Sequence, residues 1–65
     1  MGLKGDIMTE LETILNLLQE AEARSFYDYT SETDRFRKGR KKVINGKIRE
    51  TIEELAREIE KEKKA

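Results

Sequence analysis

Val43-Ile44-Asn45-Gly46-Lys47-Ile48 is the stretch on which the fold turns. Asn45-Gly46 between two apolar flanks is a strong signal for a tight β-hairpin, since both residues tolerate the positive φ of a type I′ turn. The competing pattern is longer. Phe36, Arg40, Val43/Ile44, Ile48, Ile52, Leu55 and Ile59 step by three or four, as one helix face does. Charge decides between them. Both flanks of Asn45-Gly46 are basic, and like charges facing each other across two strands repel. The expectation is therefore helix, with Asn45 capping or kinking it and a firm segment from about Lys47 to Lys61. Gly39 and Gly46 are its weak points, each costing about 1 kcal/mol against Ala. Glu53–Arg57 and Glu60–Lys64 have the i,i+4 spacing of favourable ion pairs, and the lysines of the last turn suit the helix dipole.

Working back along the chain, Ser25 to Asp34 holds three of the four aromatic residues among hydroxyl and carboxylate side chains. Those types favour caps and turns, so the connection is expected at about 25–33, with a second cap offered by Ser31 to Asp34. The first helix is expected over about 9–24. Thr9 and Glu12 have capping-box spacing, and Asp6 is a rival cap that would draw Ile7 into the helix. Ile7, Leu11, Ile14, Leu18, Ala21 and Ser25 form its apolar seam, and Leu17 widens the face beyond what one neighbour covers. Met1–Gly5 has no pattern and reads as a frayed end. The fold class expected is mainly α: two amphipathic helices in a helical hairpin, marginal alone, with a conditionally ordered basic middle segment. The 65 residues make one small domain, its second helical half at about 34–63.

Composition narrows the function. The chain has no Cys and no His, so disulfide frameworks and Cys- or His-type metal sites are excluded, and a catalytic nucleophile would need a Ser, Thr or Lys activated by a buried base. So small a chain cannot easily build that burial, and Gly39 and Gly46 lack phosphate-loop spacing. No enzyme activity and no cofactor are expected. The longest apolar run is two residues, which gives neither a secretory leader nor a membrane span, so a cytoplasmic protein without membrane contact is expected. The 43% of charged residues, mostly Glu, Lys and Arg, resembles the composition of proteins from hot environments.

The net charge of zero conceals a layout. Residues 1–34 carry two positive charges against eight negative, residues 35–49 carry eight positive and none negative, and residues 50–65 carry four against six. Arg35, Arg37, Lys38, Arg40, Lys41 and Lys42 dominate the basic block, with Phe36 among them. Such a block suits a solvated helix face, a docking strip for an acidic protein surface, or phosphate contact with Phe36 stacking on a base. The zero overall charge weighs against a dedicated nucleic-acid binder. Phe26, Tyr27 and Tyr29 form either the cap of a small core or the anchors of a partner interface.

Glu20-x-x-Ala23-x-x-Phe26-Tyr27 has the spacing of sliding-clamp-binding peptides, Gln-x-x-aliphatic-x-x-aromatic-aromatic. The two aromatics match; Glu20 and Ala23 depart from the pattern. With its size and composition, the chain resembles the small Thermococcales inhibitors of the DNA sliding clamp PCNA. That resemblance implies a non-catalytic regulator of DNA replication acting by direct contact with the clamp. The expected partner is another protein with an acidic or apolar surface, Phe26 and Tyr27 supplying affinity and the basic block orientation. Nucleic-acid binding through residues 35–49 and self-assembly into a helical bundle stand as alternatives.

Overall fold

The computed structural model describes the backbone of residues 3–64 and the side chains of residues 9–64. It contains two α-helices, α1 over Leu3–Ser31 and α2 over Arg35–Lys64, folded back on each other as an antiparallel hairpin. No strand occurs among the described residues.

The helices are longer than expected and the connection is shorter. α1 begins at Leu3, so Asp6 and Thr9 lie inside it and neither caps its start. Leu3–Gly5 is helical where a frayed end was expected; Met1 and Gly2 lie outside the described residues. Extending an existing helix fixes one residue per hydrogen bond, which is far cheaper than nucleating one, and no proline stands in the way. At the other end, Ser25 to Ser31 are helical rather than loop. Ser25 and Tyr29 are half-buried against α2, and this packing overrides their weak propensity. The hydroxyls of Thr30 and Ser31 bond back to the carbonyls of Phe26 and Asp28, at 2.8 and 3.3 Å, without ending the helix before Ser31. Only residues 32–34 connect the helices.

α2 is unbroken through Gly39, Asn45 and Gly46, none of which has a positive φ. Asn45 neither caps nor kinks. It is among the least exposed residues of the chain, 3% accessible, and its Nδ2 donates to the Glu22 carbonyl oxygen at 3.3 Å and to Glu22 Oε1 at 3.4 Å.

The line of closest packing follows a strict alternation of four and three. Among the described residues of α1 the half-buried ones are Leu11, Leu15, Leu18, Glu22, Ser25 and Tyr29; on α2 the half-buried Lys41, Ile48, Ile52 and Leu55 form one series with the buried Asn45 and Ile59. That 3.5-residue repeat is the seam of an antiparallel coiled coil. It replaces the expected seam in part. Ile14, at 47% accessibility, and Ala21 lie on its flank, while Phe36, Val43 and Ile44 are also exposed; the side chain of Ile7 is outside the described residues. In the basic half of α2, polar Lys41 and Asn45 take seam positions where the apolar series had suggested Val43 and Ile44.

The resulting core is thin. Ile59 and Asn45 alone are buried among the described residues. The hairpin extends 51 × 15 × 11 Å and exposes 5477 Å², where a compact monomer of 7.6 kDa exposes about 4,300 Å². The excess is the surface a two-helix layer leaves uncovered.

Candidate protein-docking surface

The short connection is held by an ionic staple. Lys41 Nζ, projecting from the seam of α2, donates to Glu32 Oε1 at 2.7 Å and to Asp28 Oδ1 at 2.9 Å. The other Glu32 oxygen accepts the backbone N–H of Asp34 at 3.1 Å. The Lys41 hydrogen bond, with help from that backbone N–H, holds the Glu32 carboxyl below its ordinary value of 4.5. The same bond to Glu32, and after it the bond to Asp28, holds the Lys41 ammonium above its ordinary 10.5. Asp34 caps α2, its Oδ1 accepting the N–H of Phe36 at 3.2 Å.

With the turn fixed, the seam has two unlike flanks. One is lined by Gln19, Glu22, Phe26, Arg49, Ile52 and Glu53. Lys42 and Arg35 continue it toward the turn, because they precede Arg49 by seven and fourteen residues. Phe26 is 49% accessible and presents its edge to Tyr29, with ring centroids 5.6 Å apart at 83°. The opposite flank is more apolar: Ile14, Leu18, Thr51 and Leu55 line it, with Glu54 and Glu58 at its border.

The expected site residues separate on this frame. Ala23 lies one turn from Phe26 and Tyr27, and all three are exposed, Tyr27 at 73%. Glu20 is exposed on the same outer side of α1. Tyr29 is turned into the seam, and Lys41 is taken up by the staple. On α2, Phe36 is 71% accessible and carries the Arg40 guanidinium 5.1 Å above its ring centroid. Arg37 reaches Asp34 at 3.6 Å. Arg35, Lys38 and Lys42 are exposed and form no ion pair, as do Lys47 and Arg49. The expected pairs Glu53–Arg57 and Glu60–Lys64 are not formed either; the ion pair of that half joins Lys61 to Glu58 at 3.6 Å, one residue closer on a fully solvated face where the choice of partner is worth little.

Sequence reasoning missed the seam pair Asn45–Glu22 and the stapling role of Lys41. The alternating four-three series through Lys41, Asn45 and Ile48 was the available signal, obscured by polar residues at two of its positions. Among the described residues no group of His, Cys, Asp and Glu side chains is placed to hold a metal ion, and no helix is long and apolar enough to cross a membrane.

Fold and surface together define the chain as a two-helix antiparallel hairpin with an incomplete core and a cationic turn end. No protein-family model, curated protein or solved structure matches it.

Proposed function

We propose that the hairpin is a non-catalytic protein-binding regulator that docks its Phe26 flank on an acidic protein surface. The observation that carries this reading is the exposure of Phe26 and Tyr27, at 49% and 73%, beside a row of unpaired cations from Arg35 to Arg49. An aromatic anchor supplies affinity once it is desolvated in a pocket, and cations around it set on-rate and orientation. Ala23, Phe26 and Tyr27 stand within about one helical turn, the arrangement a clamp-binding peptide uses to plug one pocket. A sliding clamp of the PCNA type, inhibited or modulated by direct contact, is therefore the most concrete partner.

Calorimetric titration of the full chain into such a clamp tests it. Binding is expected for the wild type and at least tenfold weaker binding for Phe26→Ala/Tyr27→Ala. Equal affinity of the two proteins, or no heat from either, removes the clamp reading.

One observation favours nucleic acid as the second reading: five cations of residues 35–49 face solvent without a carboxylate or aromatic partner. Phosphate contact through them would make binding to single-stranded DNA fall with salt, each neutralised phosphate adding about 0.7 to the log–log slope.

A further inference from the structure

Opposite the Phe26 flank, the hairpin carries an apolar face that nothing in the monomer covers. Ile14 and Ala21, seven residues apart, edge the seam on α1, and Ile44 and Thr51 do so on α2. Leu17 stands beside them at 60% accessibility, Ile44 at 55% and Ile14 at 47%. We propose that the occupant of this face is a second copy of the chain, laid antiparallel across a two-fold axis level with Leu17 to complete a four-helix bundle.

Charge selects both the partner and its direction. The turn half of the hairpin, residues 20–49, carries nine positive and five negative charges, a net of +4; the open half, residues 1–19 and 50–65, carries five positive and nine negative, a net of −4. A copy laid parallel brings like ends together. A copy laid antiparallel sets each +4 end against a −4 end, so the surface is complementary to itself, as a two-fold interface must be.

The complementarity extends to single residues of this face. Leu17 is the midpoint of α1, and the midpoint of α2 falls at Arg49–Glu50. At about 1.5 Å rise per residue, a two-fold axis there brings Arg24 level with the partner's Glu10 and near its Glu58, and Lys47 within about 3 Å along the axis of the partner's Glu54, inside the reach of both side chains. Ile44 comes level with the segment from Leu11 to Ile14 of the other copy, and Leu17 meets Leu17 at the axis. All of these residues lie on the Leu17 side of the seam by heptad position, leaving the Phe26 flank free.

Size agrees. A face of 51 × 15 Å is about 770 Å², close to the roughly 800 Å² per partner of a standard stable interface. Four helices enclosing the seams of two hairpins would also give Ile14, Leu17 and Ile44 the burial that a bundle core provides.

Sedimentation equilibrium of the full chain across micromolar to millimolar concentration reads the state directly. The expected mass is twice 7.6 kDa, with Leu17→Glu raising the dimer Kd at least tenfold. Should Leu17→Glu also lose helix, a charge exchange keeps the test decisive. Lys47→Glu and Glu54→Lys should each dissociate alone, since each sets like charges opposite at both symmetric contacts, and should recover the dimer when mixed. A monomer at every concentration, a dimer indifferent to Leu17→Glu, or single charge variants as tightly associated as wild type overturns the proposal. Phe26→Ala/Tyr27→Ala should leave the mass unchanged, which separates this outcome from any failure of the docking reading.

Discussion

Replacing Asn45 by Leu should stabilise the hairpin, although Asn45 is the most buried polar residue among those described and is hydrogen-bonded. The two bonds it donates to Glu22 are long, 3.3 and 3.4 Å, and share one amide nitrogen, so together they contribute about 1 kcal/mol. Losing them strands nothing. The Glu22 carbonyl sits inside α1, where the helix ladder also uses it, and the half-buried Glu22 carboxylate can turn to water. A Leu at the same 3%-accessible seam position buries apolar surface worth about 1.5–3 kcal/mol. The net gain for Asn45→Leu is therefore about 1 kcal/mol, whereas Asn45→Ala, which loses the bonds and fills less space, should cost about 1 kcal/mol. Urea unfolding followed by far-ultraviolet circular dichroism measures both, at one fixed protein concentration so that association does not enter the comparison. The polar seam residue then sets register at the expense of stability, and the Leu variant should populate more than one helix alignment, visible as duplicated amide resonances. An Asn45→Leu protein less stable than wild type would refute this reasoning, because the hydrogen bonds would then outweigh the burial of a whole Leu side chain.

Gly39→Ala and Gly46→Ala should each stabilise the chain by about 0.5–1 kcal/mol, since a Cβ at either position meets nothing within 4 Å and both lie in a regular helix; urea midpoints would reveal the gain, and a loss at Gly46 would mean that α2 bends there in solution. The staple gives the turn a pH window. Glu32, held below its ordinary 4.5, adds stability above that pH that is lost as pH falls through its folded-state value; Lys41, held above its ordinary 10.5, adds stability below that pH that is lost as pH rises through its own. Thermal unfolding between about pH 6 and pH 3 should accordingly weaken wild type more than Glu32→Gln, and parallel curves for the two would assign acid lability to other carboxylates.

The helical hairpin was legible because the pattern that marks it, Leu11 to Leu18 and Ile48 to Ile59, is apolar at seam positions in the acidic half of each helix. Its limits were not. Ser25 to Ser31 are poor helix formers whose state is decided by contact with α2, a non-local cause that local propensity does not contain. Asn45-Gly46 is a turn signal by backbone preference, and it is overridden because Asn45 has a partner 23 residues away in Glu22. The candidate surface divides in the same manner. Tyr27 lies off the apolar series of α1 and is exposed. Spacing puts Phe36 and Arg40 in line with Ile48 to Ile59, yet both are exposed because Lys41 and Asn45 take the seam. That shift, the inward turn of Tyr29 and the capture of Lys41 by Glu32 and Asp28 depend on how the helices align. Spacing puts Ile14 in the seam, yet it lies at the edge, because a four-three series can begin one residue away and still count as periodic.

The separation of charge between the two ends has a consequence set by ionic strength. At physiological salt, fields between exposed charges decay over about 8 Å, while the hairpin is 51 Å long. A molecule approaching one end is screened from the other, so the overall neutrality of the chain is never sensed. At that ionic strength the hairpin behaves as a local cation at its turn and a local anion at its open end, each choosing its own counterpart. Only in dilute buffer, where the screening length grows to about 30 Å, do the halves begin to act as one neutral, strongly polar rod.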